Sequence, residues 1–199
     1  SAGNPVVALQ IPAPREKMFR GVLLDSRRSR VAGYVDITGI EWEPGVEPAD
    51  SFRAPVPDYR PPDGFMGYAH NESGELARRF VWPEDSFYEE LEIVLEPQAQ
   101  IVGRVVDAAG QPVPEARIWL ATILPNGTRR DDGDSLCTLT TDGAGGFRLE
   151  GVAVGLKVQV RANYGVALGQ SDVLDLKGGA MHDVGRIVFF GMDNARFLF

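Results

Sequence analysis

Phe19-Arg20-Gly21-Val22-Leu23-Leu24-Asp25 is followed six residues on by Val31-Ala32-Gly33-Tyr34-Val35. The pattern returns later as Ile101-Val102-Gly103-Arg104-Val105-Val106-Asp107, with Val113-Pro114-Glu115-Ala116-Arg117-Ile118 behind it. Gly21, Asp25 and Val31 map onto Gly103, Asp107 and Val113 at one constant offset of 82 residues (103 − 21, 107 − 25, 113 − 31). Each copy reads as an apolar strand, a tight polar turn and a second strand. An internal repeat constrains the whole chain. This one implies two related β-sandwich modules in tandem, over 1–96 and 97–199. It favours a scaffold or binding role over catalysis and leaves the ligand open.

The rest of the chain reads as short strands joined by turns. In the second copy, strands are expected at 101–107, 116–123, 135–141, 146–150, 155–163, 168–175 and 184–190. Pro125-Asn126-Gly127-Thr128 and Asp142-Gly143-Ala144-Gly145 supply hairpin turns, because Asn-Gly and Asp-Gly accept positive φ. Leu156, Val158 and Val160 alternate with Lys157, Gln159 and Arg161, giving one buried and one wet face. In the first copy, strands are expected at Val6–Ile11, Phe19–Leu24 and about Tyr34–Ile40. A further one runs along Leu91, Ile93 and Leu95. Gly 23 and Pro 14 are spread along the 199 residues as turn signals, and no long helical pattern interrupts them. The apolar end, Phe189-Phe190 to Phe197-Leu198-Phe199, reads as an extra edge strand or the start of a further module.

One segment departs from this rhythm. Residues 41–65 carry Pro44, Pro48, Pro55, Pro57, Pro61 and Pro62, a density that excludes helix and central strand. They also carry Trp42, Phe52, Tyr59 and Phe65. Beyond them, Ser73-Gly74-Glu75-Leu76 is matched with Ala144-Gly145-Gly146-Phe147 at an offset of 71 (145 − 74). On that match the first copy holds about eleven extra residues here (82 − 71). Aromatic rings beside prolines make rigid contact surfaces. Trp42, Phe52, Tyr59, Phe65 and Tyr68 are therefore the candidate ligand-binding residues, for carbohydrate or a protein partner. The alternative is that these rings fold back and cover an open sandwich edge.

Charge narrows the partners. A formal net charge of −8 opposes phosphate backbones, so nucleic acid is not expected. No apolar run is long enough to span a membrane. The single cysteine, Cys137, rules out an intramolecular disulfide and reads as a small buried residue.

With these residues in view, Gly103-Arg104-Val105-Val106-Asp107-Ala108-Ala109-Gly110-Gln111-Pro112-Val113-Pro114-Glu115-Ala116 resembles the opening of a carboxypeptidase regulatory-like domain. Thr140-Thr141-Asp142-Gly143-Ala144-Gly145-Gly146-Phe147-Arg148-Leu149 is similar to that family's second signature. The resemblance covers about 95–190 and, more weakly, about 16–96, where Asn71-Glu72-Ser73-Gly74-Glu75-Leu76 stands in for the signature. It implies an all-β fold of two tandem transthyretin-like or Ig-like antiparallel sandwiches. It further implies a non-catalytic spacer or binding scaffold of a bacterial envelope or secreted protein, hence an extracytoplasmic location. Such modules are grouped with carbohydrate-binding-like sandwiches, and they accompany hydrolases such as metallocarboxypeptidases. A sugar-binding module and an accessory domain are thus the alternatives. Some surface sandwiches of this kind carry a lysine–asparagine crosslink. Here Arg20 and Arg104 stand where the lysine would be, so none is expected.

Little in the chain suggests chemistry. His70 and His182 are not paired by spacing and read as polar or capping residues. The related sandwich enzymes need histidine signatures that this sequence lacks. The run Asp131-Asp132-Gly133-Asp134 lacks the spacing and distal glutamate of a calcium loop and reads as an exposed turn. No catalytic residue, cofactor or metal is expected.

Overall fold

A computed structural model describes residues 17–38, 47–58, 61, 64–83, 86–131 and 139–189, and all regular structure among them is strand. The first half supplies β1 (Met18–Leu24), β2 (Gly33–Ile37), β3 (Ser51–Pro55), β4 (Met66–Asn71), β5 (Leu76–Val81), β6 (Leu91–Val94) and β7 (Glu96–Pro97). The second half supplies β8 (Ala99–Val106), β9 (Arg117–Ile123), β10 (Arg129–Asp131), β11 (Leu139–Thr140), β12 (Gly146–Val152), β13 (Lys157–Tyr164), β14 (Ala167–Leu174) and β15 (Met181–Val188). The expected strand Val6–Ile11 and the apolar end beyond Phe189 lie outside the described residues.

The pairing order is the same in both halves. One sheet runs β3-β1-β6 in the first half and β12-β8-β15 in the second. The facing sheet contains β2-β4-β5, extended by β7, and correspondingly β9-β13-β14, extended by β10 and β11. Directions agree as well. β1 runs antiparallel to β3 and parallel to β6, as β8 does to β12 and β15. The remaining pairs are antiparallel, as expected. The two parallel pairs arise because the last long strand of each half returns beside its first.

Packing follows from alternation. In the second half, Ile101, Val105, Phe147, Leu149 and Ile187 of one sheet meet Ile118, Leu120, Val158 and Val160 of the other. In the first half, Phe19, Ile37, Ala54, Phe65, Trp82 and Phe87 form one cluster, and Leu23, Ala69, Ile93 and Leu95 a second. Each such side chain contributes about 1.5–3 kcal/mol on burial, so these inner faces dominate the stability of the sandwiches.

The repeated turns match at the level of single hydrogen bonds, but each closes only one isolated bridge, Leu24–Arg30 or Val106–Pro112, and then passes the chain to the facing sheet, so β1–β2 and β8–β9 are not the paired hairpins expected. Asp25 Oδ1 accepts from the amides of Arg27 (2.8 Å) and Ser29 (2.9 Å). Asp107 Oδ1 accepts from Ala109 (2.9 Å) and Gln111 (2.8 Å), each 82 positions on. The Val31 amide donates to the Leu23 carbonyl at 3.0 Å, and that of Val113 to Val105 at 3.1 Å. The turns differ at one place. Arg28 sits at φ 62 where its counterpart Gly110 sits at φ 79. A side chain there costs roughly 1–2 kcal/mol, whereas the exposed Arg28–Glu92 ion pair returns little. Arg28→Gly is expected to raise the thermal midpoint, and Gly110→Arg to lower stability by about 1 kcal/mol.

Strand order corrects the match made across the proline-rich segment. Ser73–Leu76 opens β5, whose counterpart is β14, whereas Ala144–Phe147 leads into β12, whose counterpart is β3. The motifs look alike because each turn opens on an Asx side chain and places a left-handed glycine three residues on, although the first turn is one residue longer. Asn71 Oδ1 accepts from the Leu76 amide, Asp142 Oδ1 from Gly146, and Gly74 (φ 75) and Gly145 (φ 73) take the left-handed position. The true counterpart of Phe147 is Phe52. Phe52 pairs with Gly21 and Phe147 with Gly103, and each ring lies over its glycine. A Cβ on Gly21 would come 2.5 Å from the Phe52 ring, and one on Gly103 2.6 Å from Phe147. Segment 41–65 is therefore not all loop: it holds edge strand β3, where proline is tolerated. The connection after β3 is longer in the first half, residues 56–65 against 153–156 in the second.

The two halves meet without a free linker. Glu96 and Pro97 pair with Ala77 and Leu76 in the first half, and the Gly179 amide of the second donates to the Pro97 carbonyl at 3.0 Å. The Arg79 amide donates to the Val154 carbonyl at 2.7 Å, and Arg79 Nη1 to Thr122 Oγ1 at 2.8 Å, both residues being buried. Arg78 bridges to Val154 and pairs with Glu96.

Candidate functional site

The five candidate residues part company. Trp42 and Tyr59 lie outside the described residues. Phe52 is half-buried over Gly21 and edge-on to Trp82, with centroids 6.0 Å apart. Phe65 is 2% exposed and meets Phe19 edge-to-face at 5.0 Å. These two rings are taken up by packing within the first half. Tyr68 alone of the described three lies on an outward sheet face.

That face is built by period-two alternation. On β2 and β4, Val35, Ile37, Gly67 and Ala69 point inward, while Tyr34, Asp36, Tyr68 and His70 point outward. The His70 ring lies 5.2 Å from Tyr34 and 5.5 Å from Tyr68, tilted by 32° and 40°. His70 Nδ1 is 2.9 Å from the Asn71 carbonyl. The rings form a stepped strip, not a flat platform. On the neighbouring strand the same face is closed: Ala77 and Arg79 pair with His70 and Tyr68 but are buried beside the second half. The strip therefore ends at the junction. Tyr34 is the member that sequence reading missed. The alternation of Tyr34 and Asp36 with Val35 and Ile37, and of Tyr68 and His70 with Gly67 and Ala69, carried the signal.

A second feature lies at the other end of the first half. Lys17, Pro55, Val56, Pro57, Asp58, Phe65 and Phe87 line a recess of about 490 Å³. Its floor is the Phe65–Phe87 edge of the aromatic cluster and its wall is proline-stiffened chain, with one cation and one anion among the lining residues. This is the shape and chemistry of a small contact pocket. Among the described lining residues no nucleophile stands beside a base.

Elsewhere, polar groups serve the scaffold. His182 Nε2 accepts from the Lys177 amide at 3.1 Å. Thr141 Oγ1 donates to the Val113 carbonyl at 2.7 Å and accepts from the Ala116 amide at 2.9 Å, tying together the two stretches that carry the family resemblance. Asp131 accepts from Arg161 Nη1 at 3.0 Å, and that guanidinium lies 5.3 Å from the centre of the Trp119 ring. Burial pushes the Asp131 carboxyl up. The hydrogen bonds from Arg161 and Trp119 and the charges of Arg161 and Arg129 outweigh it and hold the carboxyl below its ordinary value. Asp132, Gly133, Asp134 and Cys137 lie outside the described residues. Among the described residues no group of three or more His, Cys, Asp or Glu could hold a metal ion, and no helix is long and apolar enough to cross a membrane.

No family model and no curated protein matches the chain. Among solved structures, the Bacillus anthracis TIE protein is similar at 12% identity over 87% of this chain and 34% of that chain, with a TM-score of 0.36. The shaft pilin SpaA from Lactobacillus rhamnosus GG is similar at 11% identity over 89% of this chain and 99% of its own, with a TM-score of 0.33. A Streptococcal ancillary pilin is similar at 8% identity over 88% and 63%, with a TM-score of 0.36. Likeness at this level fixes neither family nor function.

Proposed function

We propose that the chain is a non-catalytic, extracytoplasmic unit of two β-sandwich modules in tandem, 1–96 and 97–199, that holds flanking parts of a larger assembly at a fixed separation. The modules are of the carboxypeptidase regulatory-like, transthyretin-like type and arose by duplication. The observation that carries this reading is the junction. A spacer needs a stiff joint, and here strand pairing across Pro97, the Arg79–Val154 hydrogen bond and the buried Arg79–Thr122 contact replace a flexible linker. Common pairing order, the offset of 82 and the two phenylalanine-over-glycine pairs support the duplication. The distinctive residues of both copies shape turns and interior, which supports a scaffold over an enzyme.

The test is a distance measurement. Spin labels at Arg27 and Asn126, in a Cys137→Ser background, report the separation of the two hairpin ends by pulsed electron resonance. One narrow distribution is expected. A broad one would refute the rigid spacer.

A second reading has its own support. Tyr68 shares an outward face with Tyr34 and His70, a strip on which the apolar side of a sugar or a partner's side chain can rest. As a ligand-binding module, the protein would contact carbohydrate or another protein domain through this strip and the proline-rich segment, and nucleic acid and membrane insertion have no part. Loss of glycan or partner binding in Tyr34→Ala and Tyr68→Ala, with an unchanged thermal midpoint, would favour it over the spacer alone.

A further inference from the structure

The parallel pair β8–β15 places Arg104 directly opposite Arg186. Like charges in that position destabilise a sheet. A β-bulge creates the juxtaposition. Asp183 pairs with Val102, and Gly185 is then inserted, so that Arg186 stands opposite Arg104. Without the inserted residue, Gly185 would face Arg104, and Arg186 would turn to the inner side. The bulge is held by Gly185 at φ 67 and by its amide, which donates to Asp183 Oδ1 at 2.8 Å.

The first half shows that the fold does not require any of this. Its equivalent pair, β1–β6, runs in unbroken register from Gly21–Leu91 to Leu24–Val94, and the position corresponding to Arg104 and Arg186 holds Val22 and Glu92. The inserted glycine and the paired arginines are additions to the common plan.

Their surroundings suit an anion. Val102, Gly103, Arg104, Asp183, Gly185 and Arg186 line an open recess of about 350 Å³. On the other flank of Arg104 the cross-strand neighbour is Gly146, and the Asp142 carboxylate lies over it, its Oδ2 2.9 Å from where a Cβ would stand. Both arginines are exposed, and among the described residues neither guanidinium has an ion-pair or hydrogen-bond partner. This is notable in a chain with 28 acidic residues against 20 basic ones. Asp183 is the one acidic group lining the recess, and its Oδ1 is engaged by the bulge.

The geometry points to a carboxylate-binding site in which Arg104 and Arg186 share one carboxylate supplied by an acidic peptide segment. Guanidinium forks match the planar carboxylate two bonds at a time. Strand neighbours about 4.8 Å apart bring two forks to one group. The site goes beyond the spacer reading, and the two fail separately: a narrow label distance says nothing about anion capture.

The experiment is an isothermal or NMR titration of the full chain at low salt. The probes are tetraglutamate, tetraglutamine and inorganic phosphate. Tetraglutamate is expected to bind and tetraglutamine not to bind. Arg104→Gln and Arg186→Gln are each expected to weaken tetraglutamate at least tenfold, Arg→Lys at either position to restore it only in part, and all variants to keep the wild-type thermal midpoint or exceed it. Equal affinity in the double glutamine variant would overturn the site, as would no tetraglutamate binding at all. Phosphate binding more tightly than tetraglutamate would overturn the carboxylate assignment.

Discussion

Phe19→Ala is expected to destabilise the protein by about 3–5 kcal/mol, the largest loss from any single truncation in the first half. Phe19 is fully buried. Its ring takes edge-to-face contact from three others, with centroids at 5.0 Å to Phe65, 4.9 Å to Trp82 and 5.6 Å to Phe87. Such pairs add about 0.5–1.5 kcal/mol each beyond burial, and alanine forfeits all three while leaving a ring-sized void. Backbone ties cannot close that void. Met18 donates to the Phe87 carbonyl and Phe19 is held opposite Ala54 in the β1–β3 ladder. Since a domain's whole stability is about 5–15 kcal/mol, the loss should appear as a large fall in the urea midpoint. Phe19→Leu, which refills most of the volume, should cost much less. A loss below 1 kcal/mol for the alanine variant would mean that the four rings do not form the central contact of this half.

Phe19 also shows what could be read in advance. Most strand positions of the second half were legible from its alternation and its Asn-Gly and Asp-Gly turns; β10 was not, 135–138 of the strand expected at 135–141 lie outside the described residues, and Gln159, read as part of a wet face, is buried. The turn at Asp25 and Asp107 was legible, because such a turn is a local object fixed by five or six consecutive residues, but the passage of the chain to the facing sheet after it was not. Partnership across the sheet was not. Phe52, set among prolines, looks like loop by composition. Its role depends on Gly21, far away in sequence, which leaves room for a ring. The same locality explains the misplaced match of Ser73 with Ala144: turns with similar residues occur at unequal places in a fold. The outward strip was half visible, through Tyr68, and the bulge at Gly185 was not visible, because an inserted residue leaves composition and alternation nearly unchanged.

Gly155→Val is expected to break the joint between the halves. Gly155 has φ 108, outside the regions open to other residues, and a Cβ there would stand 2.4 Å from the Arg79 carbonyl oxygen. Backbone cannot yield as a flexible side chain would, so Gly155 and Arg79 must move apart. That movement pulls on the adjacent hydrogen bond from the Arg79 amide to Val154 and on the Arg79–Thr122 contact. Strain of about 1–3 kcal/mol at the residue adds to about 1–3 kcal/mol for a buried polar group losing its partner. The cost is therefore on the order of 2–6 kcal/mol, and it falls on the junction more than on the hydrophobic clusters. Amide exchange at Arg79 should quicken, while the amides of Val105 and Val160, deep in the second half, keep their protection. Gly165 provides the control. It is also left-handed, at φ 58, but no atom lies within 4 Å of its added Cβ, so Gly165→Val should cost only the backbone strain and leave Arg79 exchange unchanged. Equal effects of the two variants on Arg79 would show that the halves are joined by the chain alone, and with that result the stiff joint on which the spacer depends would be lost.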